Sequence, residues 1–136
     1  MKGFEFLERT GDLKFRAYGK SIGECFSNAA NAMFTAMFGD YNVERVGRRE
    51  VRLEAKDNET LLHDWLSELL YLLYAENLVS GNFSVRVEGN RLTASFDCEK
   101  LTGKFRFNSE VKAVTYHELL IKEENGNWIA QVVCDT

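Results

Sequence analysis

Residues 57–78 read DNETLLHDWLSELLYLLYAENL. Leu61, Leu62, Trp65, Leu66, Leu69, Leu70 and Leu73 recur at spacings of three and four, the buried stripe of an amphipathic helix. His63, Asp64, Glu68 and Glu76 interrupt the apolar run, so the segment reads as a core helix and not a membrane span. Just beyond it the period drops to two. NFSVRVEGNRLTASFDC (82–98) alternates about Gly89-Asn90, the pattern of a hairpin. A helix that needs a cover, followed by antiparallel strands, points to an α+β protein.

Working toward the N-terminus, REVRLEAK (49–56) sets Val51, Leu53 and Ala55 against Arg52, Glu54 and Lys56, a half-buried strand. SIGECFSNAANAMFTAMFG (21–39) predicts another helix. Ser21 and Glu24 form a capping box, and Gly39 suits a C-cap. Cys25, Phe26, Ala29, Ala30, Met33, Phe34 and Met37 give it a broad apolar face. Gly23 and the Ser and Asn residues lower its intrinsic propensity, so packing has to hold it. FEFLER and LKFRAYG predict two short strands, broken at Gly11 in RTGD.

Toward the C-terminus, EKLTGKFRFNSE (99–110) reads as a loop with weak strand character. AVTYHELLIKEENGNWIAQVVCD (113–135) reads as a second hairpin, turning at Asn125-Gly126. The order is β-β-α-β-α followed by strands. It predicts a single-domain, two-layer α+β sandwich over 1–136, a mostly antiparallel sheet with two helices on one face.

Composition agrees. The 136 residues suit one core, and 45% hydrophobic with 28% charged residues is ordinary for a globular protein. The N-terminal stretch has no uninterrupted apolar region, so no signal peptide is expected. Cys25, Cys98 and Cys134 are odd in number and scattered, which predicts reduced thiols in a cytoplasmic protein. A net charge of −4 gives no global attraction to nucleic acid.

Most chemistry finds little support. His63 and His117 lack the short His or Cys spacings of zinc sites, and His63 reads as a satisfied boundary histidine. No cysteine neighbours a histidine, and Cys134 shares strand parity with Trp128, Ala130 and Val132, so it reads as buried. No phosphate-binding Gly-rich loop occurs. Lys100, Lys104, Arg106, Arg45, Arg48 and Arg49, with Phe105 and Phe107, offer an RNA-binding patch, or a solvated charged edge beside two core rings. Asp12 in a turn and Asp135 at a strand end are ordinary capping or solvated positions. Brought together, they would suit a hard cation such as Mg²⁺, Mn²⁺ or Ca²⁺, with the α-carboxylate of Thr136 as a further donor. Nothing local brings them together.

Four segments carry a resemblance that does. ERTGDLKFRAYGKSIGECFSNAA, LLHDWLSELLYL, EVKAVTYHELLI and the terminal VVCDT together resemble the archease family over nearly the whole chain. The third is the most specific. RTGD stands in for that family's H-T-A-D, with Arg9 in place of the histidine and Gly11 in place of the alanine. The resemblance implies an accessory protein of an RtcB-type tRNA-splicing ligase, without expected catalysis of its own. Such a protein speeds guanylylation of the ligase's active-site histidine, supports multiple turnover and broadens nucleotide use, with tRNA involved only indirectly. It further implies a divalent cation, calcium by family pattern, on Asp12 and Asp135 with a main-chain or terminal oxygen of Thr136, and a functional Lys112. Read from the residues alone, a stand-alone metal-dependent phosphoesterase and an RNA-binding module remain the alternatives.

Overall fold

The capping signals operate locally. In the computed structural model, which describes residues 3–45 and 47–136, Ser21 caps α1 (Ile22–Phe38) by accepting the Glu24 N–H at 3.1 Å. The Glu24 carboxylate reaches back one residue further than a standard capping box, to the Lys20 N–H at 2.9 Å. Asp57 caps α2 (Asn58–Glu76) through the Thr60 N–H at 2.7 Å, and hydrogen bonding from the Thr60 side chain and then its N–H holds the Asp57 carboxyl below the usual range. Asn77, left-handed at φ 55°, ends α2.

The strands are β1 (Phe4–Leu7), β2 (Leu13–Gly19), β3 (Gly47–Glu54), β4 (Leu78–Glu88), β5 (Arg91–Lys100), β6 (Ala113–Val114), β7 (Leu120–Glu124) and β8 (Asn127–Asp135). Both hairpins turn where the sequence places them, Glu88 pairing with Arg91 and Glu124 with Asn127. The α+β class and the antiparallel pairing are as expected. The strands, however, divide into two sheets, β1-β2-β8-β6 with β7 also on β8, and β3-β5-β4.

The helices make this division workable. α1 packs on β2 and β8 of one sheet and on β4 of the other, and α2 contacts β3 and β4 as well as β6 and β7. The breadth of the α1 apolar face, from Cys25 round to Phe34 and Met37, therefore serves two sheets. One apolar cluster takes residues from both sheets and both helices. Trp65 lies at its centre, fully buried, with its indole N–H donating to the Phe26 carbonyl at 3.1 Å and so tying α2 to α1. Gly23, unfavourable for helix propensity, sits where α1 meets β4. A Cβ there would collide with the Val85 carbonyl.

A second difference from the expected fold bears on function. Residues 113–124 do not form one strand. β6 and β7 both pair with the same edge of β8, at Cys134–Asp135 and at Asn127–Gln131, and residues 115–119 arch out between them. Glu118 is left-handed at φ 54°, the Thr115 hydroxyl donates to the Val133 carbonyl at 2.9 Å, and Gln131 Nε2 donates to the Glu118 carbonyl at 3.0 Å. These bonds replace the missing rungs of the ladder.

Candidate functional site

β8 is paired on both flanks, and this brings the two ends of the chain together. β2 runs antiparallel to it with Phe15 opposite Val132 and Leu13 opposite Cys134. Two positions past the Leu13–Cys134 pair, the Thr136 hydroxyl donates to the Gly11 carbonyl at 2.9 Å. Carried on by one position, the β2–β8 register would set Asp12, in the bend before β2, opposite Asp135. Side chains directly opposite in an antiparallel pair lie about 4.5–5.5 Å apart at Cβ. Gly11, at φ +88°, makes the turn into β2 in a conformation that a residue with a Cβ would adopt only under strain.

Alternation sets the faces. Phe15 and Ala17 point inward, whereas Lys14 and Arg16 point outward, and Arg16 Nε donates to Gln131 Oε1 at 3.0 Å. Asp135 shares the parity of Gln131, and so belongs to this outer face. The arch at 115–119 lays Glu118 over it. Arg9 Nη1 donates to both Glu118 carboxylate oxygens at 3.2 Å, and Lys14 Nζ donates to one of them at 3.2 Å. Arg9 Nε lies 3.6 Å from Asp12 Oδ2, an ion pair but not a hydrogen bond. The Lys14 hydrogen bond, reinforced by the positive charges of Lys14 and Arg9, holds the Glu118 carboxyl below the usual range.

Lys112 approaches from the other flank of β8. Its N–H donates to the Asp135 carbonyl at 2.7 Å. Ala113, not Lys112, pairs with Asp135, so alternation turns Lys112 toward the opposite face with Val114. There it lines a groove of about 400 Å³ with Tyr71 and Tyr74 of α2. Tyr74 donates its hydroxyl to the Val111 carbonyl at 2.6 Å. No salt bridge to Lys112 occurs among the described residues. Asp12, Asp135 and Lys112 therefore meet at one end of one sheet, the carboxylates on its outer face and the lysine on the side of α2.

The donor set is oxygen-only. Two carboxylates with Thr136 oxygens beside them fit a hard cation that keeps part of its water shell, rather than a closed cage of roughly six to eight protein oxygens. Among the described residues no group of three or more His, Cys, Asp or Glu side chains is arranged for a metal. Burial pushes the Cys134 thiol up to about 12, with the Asp12 charge adding to the effect, so it stays protonated beside the carboxylates. Burial likewise raises Cys25 to about 12.

His63 is satisfied. Nε2 bonds the Val114 carbonyl and Nδ1 the Asp64 carboxylate, each at 3.1 Å, and the ring stacks on Tyr116 with centroids 4.0 Å apart. Phe105 is buried against Phe38, while Phe107 is partly exposed and also packs on Phe38. Lys104 pairs with Glu99, Arg49 with Glu76, and Arg45 and Arg48 with Asp97. The basic residues thus mostly answer nearby carboxylates.

Two features escaped the sequence reading. Glu118 lies in a stretch patterned like a strand, where nothing local announces an arch. Asp97 alternates as an outward residue of β5, yet it is almost fully buried beneath Asn82, Arg48 and Arg45. The Asn82 amide, followed by the two arginines, holds its carboxyl below the usual range. The irregularity in β4 between Gly81 and Ser84, with Asn82 left-handed at φ 56°, carries the amide to it.

Residues 4–136 match the model of the Archease protein family (MTH1598/TM1083). The chain is 43% identical to the protein archease of Methanosarcina mazei over 98% of its own length and 96% of that protein. It is similar to the solution structure of Methanobacterium thermoautotrophicum protein 1598, with a TM-score of 0.88 and 38% identity, each chain covered in full. The crystal structure of a Thermotoga maritima archease, described as a possible chaperone, shares the fold at a TM-score of 0.66 and 23% identity, over 96% of this chain and 94% of that one. With the family model spanning every strand and helix described and relatives near 40% identical along nearly the whole chain, the chain belongs to the archease family.

Proposed function

We propose that this protein is a cytoplasmic accessory factor of an RtcB-type tRNA-splicing RNA ligase, promoting guanylylation of the ligase and its multiple turnover. The observation that carries the proposal is the convergence at one sheet end of Asp12, in the bend before β2, Asp135, at the end of β8, and the Lys112 backbone, just before β6. Asp12 and Asp135, with an oxygen of Thr136, hold a divalent cation, calcium by family pattern, with Mg²⁺ or Mn²⁺ as the other oxygen-seeking ions. Such a cation supplies positive charge toward the α-phosphate and departing pyrophosphate of the guanylyl donor. Lys112 adds an ammonium that reaches the same end of the sheet from the other face, so a nucleotide presented there is flanked by both. The protein completes a partner's active site in trans and performs no chemistry itself, and tRNA is engaged through the ligase. No helix among the described residues is long and apolar enough to cross a membrane.

The alternatives have less behind them. A metal-dependent phosphoesterase needs a constellation that activates its nucleophile, and among the described residues no group of three or more His, Cys, Asp or Glu side chains is arranged for a metal. An RNA module needs free cations, yet Lys104 is paired with Glu99, and Lys100 reaches the Glu76 carbonyl. The deciding experiment is a guanylylation time course of a cognate ligase with and without this protein. A faster course supports the proposal, and superimposable courses end it.

A further inference from the structure

Arg9 stands in the carboxylate cluster itself. Its Nη1 is tightly held by both oxygens of Glu118, while its Nε faces Asp12 at 3.6 Å. That Nε is buried and makes no hydrogen bond. A guanidinium has five N–H donors and no lone pair, and it does not lose its proton in proteins. A histidine at this position offers a neutral ring with a nitrogen that can ligate. An arginine cannot ligate a cation and carries a permanent positive charge toward one.

We infer that Arg9 is an internal competitor for the cation site, its guanidinium neutralising Asp12 until an arriving divalent ion displaces it from Asp12 and leaves it on Glu118 alone. The inference rests on the metal reading above and adds what the Arg9 guanidinium does to it. The geometry makes the exchange feasible. Only an ion pair without a hydrogen bond is lost at Asp12, and the stronger pair of bonds to Glu118 is kept. Lys14 already shares the Glu118 carboxylate at 3.2 Å, so Glu118 is a parking place with two positive occupants, and Asp12 remains the second acceptor for Arg9. Arg9 is therefore a specificity-determining residue. It raises the cation concentration at which the site fills, and Glu118 is the positioning residue that decides how much of Arg9 rests on Asp12.

Calorimetric titration of the full chain with Ca²⁺ and with Mn²⁺ tests this, using wild type, Arg9→Gln, Glu118→Gln, the double variant and Asp135→Asn. Removing one unit charge a few ångströms from the ion should tighten binding about tenfold in Arg9→Gln. Glu118→Gln should weaken binding in the wild-type background and do so far less when Arg9 is already glutamine, because the coupling between the two residues is then gone. The rise in unfolding temperature on adding cation is a second readout, and it should be larger for Arg9→Gln than for wild type. Arg9→His, measured above the histidine pKa, serves if the glutamine variant folds poorly, and should also bind more tightly. Equal or weaker binding in both Arg9 variants, with Asp135→Asn still impaired, overturns the competitor and leaves the metal site standing. Binding unaffected by Asp135→Asn, or no binding by any variant, overturns both.

Discussion

The Thr136 hydroxyl donates to the Gly11 carbonyl at 2.9 Å across 125 positions of chain. This bond ties the bend before β2 to the end of β8 beyond the Leu13–Cys134 pair, and the β2–β8 register carried on by one position would set Asp12 opposite Asp135. The two carboxylates are brought together by strand register, with no contribution from local sequence.

Asp12→Ala and Asp135→Ala should each weaken divalent cation binding by about tenfold or more while leaving the fold intact, since Asp135 is exposed and Asp12 half-buried. Calorimetry on both variants is the check. Wild-type affinity in both would remove the carboxylate pair from the proposal.

Lys112→Ala should fold normally and bind cation as wild type does, yet slow guanylylation of the ligase. The lysine is exposed, and its N–H bond to Asp135 is made by the backbone, which the substitution keeps. Lys112→Arg should rescue poorly, because a planar guanidinium differs from an ammonium in shape and reach. Full stimulation by the alanine variant would reduce Lys112 to a solvated side chain.

Leu69→Ala should lower the unfolding free energy by about 2–5 kcal/mol, because Leu69 is completely buried on the inner stripe of α2 and the cavity would be only partly relaxed. Chemical denaturation measures it, and a wild-type midpoint would contradict the packing described.

Ser21→Ala should destabilise by about 1 kcal/mol, since the hydroxyl satisfies the Glu24 N–H at the start of α1. Ser21→Asn should recover most of the loss in the same denaturation series.

Glu118 should impart a pH dependence. Its carboxyl is held below the reference value of 4.5 in the folded state, chiefly by the Lys14 hydrogen bond. The unfolded chain therefore binds the proton more readily, and the stabilisation is present above about pH 4.5. It is lost as pH falls through the lower folded value. Glu118→Gln should flatten the acid limb of the unfolding temperature plotted from neutral pH downward. Superimposable acid limbs for the two proteins would show that the Arg9–Glu118–Lys14 network contributes nothing to stability.

Much of the fold was legible in the sequence because its signals act over a few residues. The Ser21 cap, the stripe from Leu61 to Leu73 and the turns at Gly89-Asn90 and Asn125-Gly126 depend on neighbours within about one or two turns of chain, and those elements form where the signals lie. Asp12, Asp135 and Lys112 were singled out only through the family resemblance, since a carboxylate in a turn or at a strand end has the same local physics whether or not it meets a partner. The tertiary structure alone decided that the strands form two sheets, that residues 115–119 arch away from β8, and that Glu118 and Arg9 sit over the candidate cation site. It also decided that Asp97 is buried. Each of these depends on which strands pair and in what register, and pairing is settled by burying the faces of α1 and α2 against residues far along the chain. A short sequence window holds only one side of such a contact.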